Sequence, residues 1–319
     1  MSEENINFYG LVDKAAAKEV YGKKLAEIGK KNDKVVVLTA DLMRTTKTID
    51  FKDVYPERFF NVGIAEQNMM SIAAGLAVEG KIPFVSTFAT FASMRACEQV
   101  RTDICYPNLN VRIVATHSGL TSGGGPTHYS QEDLAIMRSL ANMTVIVPGD
   151  PNQIGKVIEA SIEYQGPIYI RIGRGGEPVV YHEDYKYEIG KSIVVKEGKD
   201  ATIIACGVII SCALEAAAKL AKEGINVSVI DMHTIKPLDR EAVIKAAKAT
   251  GVLLTGEDHN TTGGLGSAVA EVIAEENLSC KFKRLGIPNI YAAIGSPEDL
   301  YHKYGFDAEG IYTALKCML

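Results

Sequence analysis

Two α/β domains are predicted, each a three-layer α/β/α arrangement with helices on both faces of a mostly parallel sheet. Three observations lead there. Short apolar runs alternate with stretches of helical periodicity along nearly all of the 319 residues. One stretch rich in Gly, Pro and charge interrupts that alternation near the middle. The length suits about two domains, and no internal repeat or low-complexity tract points elsewhere.

From Gly10 to Gly29 the apolar residues recur at helical spacing and feed Lys34–Asp41, whose Val-Val-Val-Leu centre reads as a buried strand. A second strand is expected at Phe59–Val62, a helix over 64–78, a strand at Pro83–Ser86, a helix reaching about Cys105 and a strand at Val111–Ala115. Met143–Val147, a helix after Pro151 and Pro167–Ile172 complete the first unit. Gly173–Tyr187 suits a linker, which divides the chain into residues 1–185 and 186–319. Beyond it, strands at Ala201–Cys206, Asn226–Ile230 and Gly251–Thr255 alternate with helices near Ser211–Glu223, after Asp239 and after Gly263.

The bulk composition narrows the function. With 47% hydrophobic and 23% charged residues and a net charge of -5, the chain has an ordinary globular balance. No Lys/Arg cluster with interleaved aromatics suggests nucleic acid. Apolar runs such as Val252–Leu254 fall far short of the roughly 20 residues a bilayer requires, so no membrane association is expected. Met1–Asn7 is polar and acidic, unlike a signal peptide, and the six cysteines lack metal-ligand spacing, so reduced thiols in a cytoplasmic protein are expected.

Parallel sheets bind ligands beyond the carboxyl ends of their strands, so polar residues after strands are the first candidates. Asp41 follows the first strand, Asn61–Asn68 the second, Ser86–Arg95 the third, Thr116–Asp133 the fourth and Arg171–Arg174 the last. Glu66 opens a helix that is apolar or small on every side, so that helix is expected to be buried; the carboxylate can cap the helix or serve chemistry. Phe88, Phe91 and Met94 recur every third residue, a pattern of core packing or of a surface for a flat heteroaromatic ring. His117 and His128 bracket a loop with three consecutive glycines, Gly123–Gly125, which suits a ligand better than a packed element.

In their order, the blocks Leu38-Thr-Ala-Asp41-Leu, Phe60-Asn-Val-Gly-Ile-Ala-Glu66-Gln-Asn-Met, Ser86-Thr-Phe88, Ala115-Thr-His117, Gly125-Pro-Thr-His128 and Thr262-Gly-Gly-Leu-Gly-Ser resemble the pyrimidine-binding and C-terminal domains of transketolases. The resemblance implies thiamine diphosphate as cofactor, with Glu66 hydrogen-bonding N1′ of the aminopyrimidine so that the ring can activate the thiazolium carbon. It implies that Phe88 and Phe91 pack on the pyrimidine and that Asp41 lies near the cofactor. His117 and His128 would line the substrate channel, with Arg174 and His117 holding the phosphate end of a sugar phosphate. Lys18 and Thr45 stand where the family commonly has a second arginine and a serine. Gly124 departs from the pattern, since the family commonly places there an aspartate that contacts a sugar hydroxyl. That leaves the donor sugar open.

The family's diphosphate and Mg²⁺ site resides in a separate domain bearing Gly-Asp-Gly, and no Gly-Asp-Gly occurs here. The resemblance therefore implies one half of a split transketolase: an N-terminal subunit supplies the diphosphate-binding domain, two copies of each chain form a heterotetramer, and this chain alone is inactive. The expected reaction transfers a two-carbon ketol unit from an anionic ketose to an aldose. Other readings are a 2-oxoacid dehydrogenase β subunit, which a neighbouring lipoyl protein would favour; a deoxyxylulose-phosphate synthase, whose chain normally carries all three domains; and a non-catalytic binding module that has lost its partner. His233 and His259 are expected to be structural or interfacial, and Thr262–Ser267 to form a tight helix start.

Overall fold

A computed structural model describes residues 14, 15, 17–182 and 185–319. The first four residues of the predicted leading helix, 10–13, and residue 16 lie outside the described residues; Lys14–Ala15 are not helical but pair antiparallel with Glu177–Pro178, and the helix itself, α1, runs over Ala17–Lys31. The first sheet contains β1 (Val35–Thr39), β2 (Phe59–Asn61), β3 (Ile82–Phe88), β4 (Arg112–Thr116), β5 (Thr144–Ile146) and β6 (Ile168–Arg171). These six strands run parallel in the order β5-β6-β4-β3-β1-β2.

The layering follows from alternation along each strand. Val35 and Val37 of β1 join Phe84, Tyr21, Leu25 and Ile28 in one core cluster, with α1 on that face. Val36 and Leu38 join Val85 with Met69, Met70 and Ala73 of helix α2 (Glu66–Val78) on the other. Being apolar on both faces, β1 is wholly buried. Helix α2 departs from expectation. Its inner face is packed, but Gln67, Asn68, Ser71, Gly75 and Val78 are exposed, and Ile64 before it is 75% exposed. The residues all round it thus include a surface left exposed among the described residues, although Ser71 on it donates to Asp103. The predicted helix reaching Cys105 is broken, with π-helical turns at Phe91–Arg95 and Val100–Cys105 on either side of a short α turn.

Helices α3 (Asp133–Ser139) and α4 (Pro151–Ser161) complete the first unit; Asp150 caps α4, accepting from Gln153 N–H, with Pro151 in the first turn. The second sheet comprises β7 (Ile193–Lys196), β8 (Ala201–Ala205), β9 (Val227–Asp231), β11 (Val252–Asn260) and β12 (Lys281–Ile287), in the order β12-β11-β8-β9-β7. Strand β7 alone is antiparallel to its neighbour. Helices α5 (Ile209–Ala221), α6 (Arg240–Thr250), α7 (Leu265–Glu275), α8 (Pro297–Tyr304) and α9 (Ala308–Lys316) flank it. No helix among the described residues is long and apolar enough to cross a membrane.

The two units interlock. Strand β10 (Thr234–Lys236), which follows β9 in sequence, pairs antiparallel with β5 and becomes the edge of the first sheet. Ile204, Met232 and Leu265 of the second half share one buried cluster with Met137, Val145 and Val147 of the first. The described part of the predicted linker is no loose tether. Val180 and Tyr181 are buried and donate their N–H groups to Asp150 Oδ2, and the Tyr181 hydroxyl donates to Asp231.

Candidate active site

The carboxyl ends of β1, β3 and β4 deliver most of the predicted site. Asp41 lies two residues beyond β1 and His117 directly follows β4, and both adopt left-handed backbone, with φ of 60° and 57°. For non-glycine residues that conformation costs free energy and is concentrated at functional sites. Asn61, at the end of β2, steadies Asp41: its Oδ1 accepts from Asp41 N–H at 2.9 Å and its Nδ2 donates to Asp41 Oδ1 at 3.3 Å.

His117 is buried and stacks on Phe88, with ring centroids 4.1 Å apart, while its Nδ1 pairs with Thr116 Oγ1. Burial, reinforced by the nearby charges of Lys18 and Arg174 and by His128, pushes its pKa down to about 4. The imidazole is therefore neutral at pH 7. The His128 ring meets Phe88 and Phe91 edge-on at 6.0 and 5.4 Å, and Phe91 stacks with Phe88 at 5.7 Å. Two phenyl rings and two imidazoles thus share one cluster. Met94 does not: it is exposed, so the three-residue stripe is not core.

The glycine loop explains how Arg174 and His128 come this close. A Cβ on Gly123 would lie 2.5 Å from Arg174 Nη1, and one on Gly124 would lie 2.6 Å from His128 Cγ. Arg174 and His128 rest on bare backbone. An aspartate at 124 cannot enter without moving His128.

Glu66 begins α2 but does not cap it. Its side chain is 3% exposed, and Oε1 accepts from Arg95 Nη1 at 2.9 Å. The Arg95 guanidinium lies over the Phe91 ring, 3.8 Å from its centroid, and so joins Glu66 to the aromatic cluster. Arg95 and Asn61 stood in segments marked for attention, yet their roles depend on contacts across 29 and 20 residues. Thr45 sits half-buried in the turn after β1, and among the described residues no hydrogen bond ties its side chain to the histidines. Among the described residues, no three His, Cys, Asp or Glu side chains form a potential metal site.

The second unit holds the site loop from behind. Asp258 of β11 accepts from Leu120 N–H through both oxygens and from the Tyr301 hydroxyl. Gly119 (φ 57°) makes that approach possible, because a Cβ there would fall 1.9 Å from Asp258 Oδ2. Arg171, at the end of β6, pairs with buried Asp133 and donates to the Asp258 carbonyl. His259 bonds Asn260 O through Nδ1 and accepts Ala135 N–H at Nε2, a structural role.

A buried carboxylate, an aromatic face and flanking cations thus gather beyond the strands of a parallel sheet, the place where sheets of this kind bind their ligands. Comparison with known proteins gives the family. Residues 13–177 match the transketolase pyrimidine-binding domain and residues 190–311 the transketolase C-terminal domain. A putative transketolase C-terminal section from Methanocaldococcus jannaschii is 47% identical over 294 residues, covering 91% of this chain and 92% of that protein. A 6-deoxy-6-sulfo-D-fructose transketolase subunit from a Clostridium species is 39% identical over 298 residues, 93% of this chain and 92% of that one. A solved split-gene transketolase, described as an inactive beta4 tetramer, aligns with a TM-score of 0.88 at 48% identity over 96% of this chain and 99% of its own. The chain belongs to the transketolase family, which depends on thiamine diphosphate. Within that family it is homologous to the C-terminal sections of split transketolases.

Proposed function

We propose that this chain is the C-terminal subunit of a two-chain cytoplasmic transketolase, with residues 1–185 as the pyrimidine-binding domain and 186–319 as the C-terminal domain. It moves a two-carbon ketol unit from an anionic ketose to an aldose. One observation carries the reading: the buried Glu66 carboxylate is linked through Arg95 to the Phe88–Phe91–His117–His128 cluster. A carboxyl group beside an aromatic face fits an aminopyrimidine, which is flat and presents ring nitrogens at its edge.

Thiamine diphosphate, when bound, supplies the carbon nucleophile that cleaves the ketose beside its carbonyl. Glu66 holds and exchanges a proton at the pyrimidine N1′, Phe88 and Phe91 support the ring, and Asp41, fixed by Asn61, borders it. His117, Lys18 and Arg174 hold the anionic end of the sugar. Two cations supply the charge, while neutral His117 offers a hydrogen bond without repelling them. His128 serves the donor's hydroxyl groups, and Thr45 contributes at the rim. The sulfonated sugar named for the Clostridium relative supports a non-phosphate anion as one option. Gly124, uncharged beneath His128, leaves room for a donor unlike the common sugar phosphates.

The diphosphate and Mg²⁺ are held by the N-terminal subunit, which covers the exposed face of α2, in a heterotetramer of two copies of each chain. That the split-gene relative is described as an inactive beta4 tetramer supports inactivity of this chain by itself. The test is co-purification with a partner chain bearing Gly-Asp-Gly, followed by donor screening by mass spectrometry with thiamine diphosphate and Mg²⁺. Two-carbon transfer by the pair, and none by either chain alone, is expected. Transfer of the acyl unit to a lipoyl carrier would replace this reading with the 2-oxoacid dehydrogenase one.

A further inference from the structure

We propose that Arg95 occupies the aminopyrimidine seat while the cofactor is absent and is displaced when the cofactor arrives. This deepens the reading above and rests on it. Glu66 needs a partner, because a carboxylate 3% exposed carries a large desolvation cost unless its charge is met. In this chain the partner is a guanidinium: planar, cationic, donating an N–H to Glu66 at 2.9 Å and lying 3.8 Å over the Phe91 ring centroid. An aminopyrimidine protonated at N1′ has the same three properties. It is flat, carries positive charge at its edge and offers an N–H to a carboxylate while one face lies against a phenyl ring. The same donor direction and the same aromatic face cannot serve both groups at once.

Arg95 is also placed so that it can leave. It is 49% exposed, so the guanidinium can turn into solvent without opening the core. It ends the π-helical turn Phe91–Arg95, where the wider turn re-aims the side chains, a distortion frequent at functional sites. Around it, Glu66 is the acid that the guanidinium meets, and Met94 beside it is exposed and uncharged. Arg95 thus gives the Glu66 carboxyl a partner and keeps the pocket wall in place before the cofactor binds. The exchange also restrains binding, since each cofactor must release the ion pair it replaces. The surrendered contact is a half-exposed one, so this restraint is modest and reversible.

The experiment titrates thiamine diphosphate, with Mg²⁺ present, into the assembled two-chain enzyme by calorimetry, comparing wild type with Arg95→Ala and Arg95→Lys. Arg95→Ala should bind the cofactor more tightly, by roughly tenfold, because the free state loses its occupant while the bound state loses nothing. Arg95→Lys, which keeps charge without a planar face, should fall between. Millimolar guanidinium chloride should return the Arg95→Ala affinity toward wild type by refilling the seat, at concentrations far below those that unfold proteins. Thermal melts of each assembled variant report whether the complex is intact. Unchanged or weaker binding by Arg95→Ala would overturn the proposal and assign Arg95 a supporting role in the bound state. Failure of the intact wild-type pair to bind the cofactor at all would instead overturn the functional reading, and this inference with it.

Discussion

Two groups of histidines and acids stand at the carboxyl ends of parallel strands in this chain, and only one of them is open. At the ends of β1, β3 and β4, Asp41 is exposed and Glu66 meets a half-exposed arginine; His117 has strained backbone, and no hydrogen bond to Arg174 appears among the described residues. At the domain junction, Glu257, Asp258 and His259 are buried beside Arg171 and Asp133, and the hydrogen bonds close on one another. Residue type alone does not separate them. A site for chemistry keeps charge and hydrogen-bonding capacity in reserve, whereas a structural lock has spent both.

The largest effect should come from Glu66. Its replacement by Ala should lower ketol transfer by the assembled pair on the order of 10²- to 10⁴-fold, the scale of general acid–base catalysis. Exchange of the cofactor C2 proton should fall with it while assembly persists; undiminished exchange would mean that the open group is not the chemical one. At the lock the readout reverses. Arg171→Met should cost about 3–5 kcal/mol, measured by denaturant unfolding, because it strands Asp133 in the interior. Burial opposes ionisation of Asp133, yet Arg171 keeps its carboxyl below the ordinary carboxylate range. A stability loss within experimental error would show that the junction is not locked by charge.

Gly119→Ala should cost about 1–3 kcal/mol from its positive φ alone, with more from displacing Asp258. Because Leu120 hangs from the same carboxylate, the variant should also blur the site loop, seen as lost amide-exchange protection at 118–121. The histidines offer a pH test. Burial holds His117 and His259 both near pKa 4, so their NMR ring signals should not titrate between pH 8 and 5. Removing both Lys18 and Arg174 by Met substitution should raise the His117 midpoint and leave that of His259 in place. Equal responses would erase the distinction between the clusters. For stability the sign follows: what the neutral histidines contribute is complete above about pH 6.5 and is lost as pH falls through about 4. Buried Asp231 and Glu257, raised to about 7, run the other way, and their contribution is lost as pH rises through 7. The smallest effect is expected at Gly124→Asp. His128 must shift, so the preferred donor should change by about tenfold in relative kcat/KM, with stability little altered.

Much of the fold was legible in the sequence because the strands are local apolar runs. Val35–Thr39 could hardly be anything but a central strand. The elements that escaped notice are those whose reason lies at a distance. Thr234–Lys236 is a strand only because Thr144–Ile146 offers an edge. Lys281–Ile287, with lysines and an arginine, is an edge strand that periodicity does not betray. Helix α8 had a readable start in Ser296-Pro297-Glu298-Asp299, where Ser296 accepts the Asp299 N–H. In the site, motif order located Glu66 and the two histidines. Helix α2 was expected to be buried because most of its residues are small or apolar, yet Gln67, Asn68, Ser71, Gly75 and Val78 leave one face exposed. Arg95 stood at the end of a marked block, but its ion pair with Glu66 needs a π-helical turn that no pattern announces.

The crossing of β10 into the first sheet has a consequence for heredity. A gene can be divided without loss only where the protein it encodes has a seam, with each piece keeping its own apolar interior. Cutting this chain between its two halves would strip a strand from one sheet and expose the cluster in which Ile204, Met232 and Leu265 meet Met137 and Val145. A seam between the two halves would therefore cost each of them part of its interior.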